Sequence, residues 1–185
     1  MQALYCHLLN GKTTSPAKYP APFIERHQSL VKLHLWGLDN DTDYRVLEVL
    51  LKLPHLKEVG LRKSSIQEDD IVRFWTVCEN LESLLLEEVT FPQGTTPHAL
   101  MCFRNIRKLQ LYSVSGMEDA EQLRFISACP NLEDLAWRAN TPAIRWGDAV
   151  EGGFQFVERP YLGEFAKEVT RKRWPRLTSF RREAQ

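Results

Sequence analysis

Residues 81–86 read Leu81-Glu82-Ser83-Leu84-Leu85-Leu86, with apolar side chains at the first, fourth and sixth places. The same spacing occurs at Leu30, Leu33 and Leu35, at Leu56, Val59 and Leu61, at Ile106, Leu109 and Leu111, and at Leu132, Leu135 and Trp137. The first residues of successive copies lie 26, 25, 25 and 26 apart. A sixth copy, Leu177 with Phe180, follows after 45. Within each copy the fourth and sixth residues have the period of two expected of a strand with one buried side. Strands this short cannot stand alone, so neighbouring copies must stack into a parallel sheet. Unrelated amphipathic strands would not keep a constant spacing.

The segments between the copies read as helices. Asp39, Asn40, Asp41 and Thr42 offer cap chemistry after the first copy, and Val46, Leu47, Leu50 and Leu51 then fall at helical spacing before Pro54. After the second copy, Ser65 and Glu68 have capping-box spacing, and Ile71, Phe74, Trp75 and Cys78 mark one helical face. After the fourth copy, Gly116 precedes an expected helix from about Glu118 to Ala128, with Leu123 and Ile126 inward. The third linker, with Phe91, Pro92, Gly94, Pro97 and His98, reads as a loop with at most a short helix near Ala99 to Cys102.

A period of 25 to 26 falls within the range of leucine-rich repeats. Two joints sharpen the likeness: Cys78-Glu79-Asn80-Leu81 and Cys129-Pro130-Asn131-Leu132 share the form Cys-x-Asn-Leu. Leu53-Pro54-His55-Leu56 is a variant, and Cys102 sits one residue further from Ile106. With these joints the chain resembles the cysteine-containing leucine-rich-repeat class, which shares the ribonuclease-inhibitor-like fold. Cys129-Pro130-Asn131-Leu132-Glu133-Asp134-Leu135 is especially similar to the F-box-like families of fungi. The resemblance implies an α/β leucine-rich-repeat solenoid, with a curved parallel sheet on its concave side and helices on its convex side. It also implies a protein-binding module, acting in substrate recognition by an F-box type ubiquitin ligase subunit. That role would bring an F-box adaptor and a cullin as partners if a longer form carries an F-box. No F-box is recognisable in the 29 residues before Leu30, which hold a Pro-broken stretch from Thr13 to Pro22. The expected organisation is an N-terminal segment or partial cap over 1–29, five repeats over 30–138, and an insertion, modified terminal repeat and basic tail over 139–185. Leu4, Leu8, Leu9, Phe23 and Ile24 could supply the cap.

Side chains at the third, fifth and seventh places of each copy should point away from the core and line the partner-binding face. The third places hold Lys32, Glu58, Ser83, Lys108 and Asp134; the fifth hold His34, Gly60, Leu85, Gln110 and Ala136. The seventh hold Trp36, Arg62, Glu87, Tyr112 and Arg138, a row rich in the residue types that dominate interface energetics. A solvated face with two packed aromatics reads the same residues equally well.

Two further segments invite a reading. Residues 139–160 exceed what a linker needs, and Ile144, Trp146, Phe154 and Phe156 fit a cap over the open end. Lys167, Arg171, Lys172, Arg173, Arg176, Arg181 and Arg182 face only Glu168 in their stretch, so nucleic-acid association is a weaker alternative. A helix from about Leu162 to Lys172 with cations near its end accounts for them more simply.

Composition narrows the functional classes. The chain has 185 residues, with 24 Lys+Arg against 24 Asp+Glu. Zero net charge argues against a globally basic nucleic-acid binder. No apolar run approaches the roughly 18 residues of a membrane helix, and no secretory signal is evident, so an intracellular setting in cytoplasm or nucleus is expected. Four Cys at 6, 78, 102 and 129 form no Cys-x-x-Cys, and no His-x-x-x-His pair occurs, so no metal or cofactor is expected. Three of these Cys occupy pre-strand positions and are expected to be buried. Asp39, Asp41 and Asp43 lack the Gly and Glu of a calcium loop. No phosphate loop or nucleophile elbow occurs. The expectation is a binding protein without catalytic residues, with a stand-alone scaffold or inhibitor-like binder as the alternative to a ubiquitin-ligase role.

Overall fold

The computed structural model describes residues 3–7, 20–38, 45–97, 101–138, 176 and 178–182. Over these residues the chain is an α/β arrangement built on one seven-stranded, all-parallel sheet whose strands lie in sequence order. The strands are β1 (Ala3–His7), β2 (Lys32–Trp36), β3 (Glu58–Ser65), β4 (Ser83–Thr90), β5 (Lys108–Tyr112), β6 (Asp134–Arg138) and β7 (Ser179–Arg182). Between them lie α1 (Pro20–Glu25), α2 (Val46–Leu51), α3 (Ile71–Asn80) and α4 (Asp119–Ser127).

The register follows the repeat. Leu33, Val59, Leu84, Leu109, Leu135 and Phe180 stand opposite one another across β2 to β7. From Leu30 to Trp137, every first, fourth and sixth residue of the five copies is buried, none more than 5% exposed. These leucines share a single core with Ile24 of α1, Val46 and Leu50 of α2, Phe74 and Val77 of α3, and Phe125 and Ile126 of α4.

The joints between copies also repeat, atom for atom. The carbonyl at each second place, on Val31, Lys57, Glu82 and Arg107, accepts two N–H groups from the second and third places of the next copy. At the last joint Glu133 O accepts the Thr178 N–H and the Thr178 hydroxyl instead. The asparagines of the joints tie down a neighbour's loop: Asn105 donates to Glu79 O at 2.8 Å and Asn131 to Arg104 O at 2.7 Å. The eighth place of four copies, on Gly37, Lys63, Glu88 and Ser113, has positive φ; it directly follows β2 and β5 and lies within β3 and β4, so the backbone turns left-handed at the same place in each copy.

The structure differs from the sequence reading in four places. Ala3–His7 pairs in parallel with β2, Leu4 opposite Leu33, so segment 1–29 extends the sheet as well as contributing α1. Of the expected cap residues, Ile24 is fully buried and Leu4 packs against the core, while Phe23 is exposed; Leu8 and Leu9 lie outside the described residues. Ser65 ends β3 and caps no helix; a 3₁₀ turn at Glu68–Asp70 leads into α3, whose N-cap residue is Asp70. The capping-box spacing that is used belongs to α4, where the Glu118 N–H donates to Glu121 at 2.7 Å.

Cys102 is exposed rather than buried. The buried slot three residues before Ile106, matching Cys78 and Cys129 in their copies, is taken by Phe103. The third linker explains this larger residue. Met101 and Cys102 are not helical, Ala99 and Leu100 lie outside the described residues, and aromatic rings pack around Phe103. Trp75 stacks on Phe91 with planes 3° apart, and Phe103 meets Phe125 edge-on at 5.1 Å. Trp75 also lies 5.8 Å from Phe103 and 5.1 Å from Phe125. Trp75, Phe91, Phe103 and Phe125 thus form one buried aromatic cluster.

Candidate protein-binding face

The alternation along each strand sends the third, fifth and seventh places to the side of the sheet opposite the core. The structure places the expected face residues there in three rows. Lys32, His34, Trp36, Glu58, Arg62, Glu87, Lys108, Gln110, Tyr112, Asp134 and Arg138 are all half-buried or exposed. Gly60, Leu85 and Ala136, in the middle row, are buried and form a low floor with Gln110.

Neighbouring copies neutralise one another across this face. Glu58 accepts from Lys32 Nζ at 2.8 Å and lies 2.9 Å from His34 Nε2. Burial pushes the Glu58 carboxyl up, but the hydrogen bonds from Lys32 and His34 outweigh it and hold it below the usual carboxylate range. The same contact raises Lys32 above its ordinary value, chiefly through its hydrogen bond to Glu58. The His34 ring lies over Gly60, where a Cβ would come within 2.6 Å of Nδ1, so Gly60 makes the room His34 occupies. Tyr5 of β1 covers the other side of that ring at 4.9 Å.

In the seventh row, the Arg62 guanidinium stands 5.7 Å over the Trp36 ring and its Nε lies 2.9 Å from Glu87. Lys63 adds a second cation 5.6 Å from the same ring and reaches Glu88 at 3.8 Å. Trp36 is therefore flanked by two cations, an arrangement favoured by the negative face of an indole. Lys108 lies 3.8 Å from Asp134. The Nε atoms of Arg62 and Arg138 are both buried without a hydrogen bond, but Arg62 has the Glu87 carboxylate beside it and Arg138 has no ion pair among the described residues.

A second ladder runs through the second places, with Lys57 2.7 Å from Glu82 and Arg107 3.3 Å from Glu133. The Lys57 hydrogen bond is the main cause holding Glu82 below the usual carboxylate range. These are exposed pairs and contribute little to stability.

The sequence reading omitted Tyr5, Lys63 and Glu88. Tyr5 was legible in principle, since Met1, Leu4 and Cys6 repeat the motif 29 residues before Leu30. Lys63 and Glu88 lie within β3 and β4 with positive φ, which breaks the strand alternation that the sequence offers.

Residues 139–160 and the cations from Lys167 to Arg173 lie outside the described residues. Arg176 is exposed, and Arg181 and Arg182 belong to β7. Cys78 and Cys129 are buried, and that burial pushes both thiols well above their ordinary range. Among the described residues no three His, Cys, Asp or Glu side chains gather into a metal-binding group. No helix of the described residues is long and apolar enough to cross a membrane. Protein-family models and curated proteins offer no match to this chain.

Proposed function

We propose that the chain is a leucine-rich-repeat solenoid that binds another protein on the exposed face of its sheet. The observation that carries this reading is the seventh row, where five consecutive copies present Trp36, Arg62, Glu87, Tyr112 and Arg138 side by side. Trp, Tyr and Arg supply most interface energy when they cluster on a rigid support. The repeated joints and the 25- to 26-residue offset between paired strands support the solenoid assignment. The Cys-x-Asn-Leu joints extend the reading to substrate recognition in an F-box type ubiquitin ligase.

A tagged pull-down from the native cell, read by mass spectrometry, tests both levels. An F-box adaptor and cullin recovered together support the ubiquitin-ligase role; one reproducible partner without them supports a stand-alone scaffold. Replacing Trp36, Arg62, Tyr112 and Arg138 with Ala should abolish binding to the recovered partner while leaving the circular dichroism spectrum unchanged. Undiminished affinity in that variant removes the face from consideration.

A further inference from the structure

We propose that Arg138 is the anchor of this face for a single carboxylate, presented by an Asp or Glu side chain within an otherwise neutral, extended segment of the partner. This rests on the protein-binding reading above and adds the chemistry of what binds.

Among the face cations whose side chains are described, Arg138 stands apart. Lys32, Arg62, Lys63 and Lys108 each have a carboxylate within 3.8 Å. Among the described residues Arg138 has none within ion-pairing distance, and its buried Nε donates to nothing. A guanidinium carries a full positive charge. Its fork of donors matches a carboxylate in two parallel hydrogen bonds.

The surroundings specify the rest of the segment. Leu85, Gln110 and Ala136 form an uncharged strip across β4, β5 and β6, ending two residues before Arg138 on β6, with Arg181 of β7 opposite Ala136. Strands lie about 4.8 Å apart, so this strip spans roughly 10 Å, the length of about three extended residues. A polyanion such as nucleic acid is disfavoured, because Glu58, Glu87, Glu88 and Asp134 share the face. One acid among neutral residues meets Arg138 and avoids those four.

The probe is a displayed library of random dodecapeptides, panned against the full chain. Enriched peptides should carry one Asp or Glu flanked by neutral residues. Arg138→Gln should weaken the best peptide at least 10-fold, and changing its acid to the amide should weaken it equally. The two changes together should cost no more than either alone, the signature of direct coupling. An unchanged melting temperature shows that Arg138→Gln folds. Peptides that lose affinity with Trp36→Ala or Tyr112→Ala but not with Arg138→Gln overturn the anchor and leave the binding face standing. Failure to enrich any peptide sensitive to these face residues overturns both. Competition by millimolar inorganic phosphate as effective as by the acidic peptide also overturns the anchor, since the site would then take any anion.

Discussion

The Trp137 indole N–H donates to Gln122 Oε1 at 2.9 Å in the middle of the core. Trp137 occupies the sixth place, where the other copies carry Leu35, Leu61, Leu86 and Leu111. A tryptophan there brings a polar group into an apolar slot, and helix α4 supplies its acceptor. Gln122 completes its own bonding by donating to Val114 O at 3.3 Å and Met117 O at 3.1 Å. One fully buried side chain therefore joins α4, β6 and the turn after β5. Trp75, by contrast, has a buried N–H without a partner and is held by ring packing alone.

Gln122→Leu should thus cost about 2–4 kcal/mol, because it strands a buried N–H as well as removing three hydrogen bonds. The double variant Gln122→Leu with Trp137→Leu should lose less than the two single losses summed. Urea denaturation of the four proteins measures the coupling. Additive losses would show that the pair does not act as a unit.

Two turn residues should respond in opposite directions. Gly116 has φ +80°, and an added Cβ would lie 1.8 Å from Phe91 O, where the backbone cannot yield. Gly116→Ala should cost about 2–4 kcal/mol. Ser113, exposed and also left-handed with φ 52°, lacks such a contact. Ser113→Gly should stabilise by roughly 0.5 kcal/mol, the relief of left-handed strain exceeding the added freedom of the unfolded chain. Thermal melts should therefore move down for the first variant and up for the second.

Glu58 makes stability depend on acid. Its carboxyl is held lower in the folded chain than in the unfolded one, so the unfolded chain binds the extra proton first. The stabilisation is present above the unfolded value, about 4.3, and is lost as pH falls through the lower folded value. Wild-type melting temperature should therefore fall more steeply from pH 5 to roughly pH 3 than that of Glu58→Gln. Parallel slopes would show that the Lys32 and His34 contacts do not stabilise the fold.

Thiol reactivity should separate the cysteines. A maleimide added to the native protein at neutral pH should modify Cys102, which is exposed. Cys78 and Cys129 are buried, with their thiols held protonated by that burial, and should react only after denaturation. Peptide mapping by mass spectrometry reads each site. Rapid native labelling of Cys129 would show that the joint before β6 opens.

The parallel sheet and its register could be read from leucines alone, because burial of the fourth and sixth places leaves no other phase open. The face rows followed from the same alternation, down to Trp36 beside Arg62. What escaped was set by contacts between copies rather than within them. Phe103 took the slot assigned to a cysteine because Trp75, Phe91 and Phe125 left a larger space there. Ser65 and Glu68 had the spacing of a cap, but Ser65 was drawn into the sheet by pairing with Thr90. Lys63, Glu88 and Ser113 adopt a conformation that favours glycine, and only Gly37 announces it in the sequence. The pairing of Glu58 with both Lys32 and His34 likewise needed the register before it could be seen.

The sheet order β1 to β7 has a mechanical meaning. A tether on β1 and another on β7 would pull along the inter-strand hydrogen bonds, placing the joints in series so that they fail one at a time rather than all together. The molecule should then give way as a staircase, peeling from its edges. Inner steps would each free one 25- or 26-residue offset, or roughly 85–90 Å of extended chain. Gln122, bolting α4 to β6 and to the turn after β5, would make one tread of that staircase harder to leave than the rest.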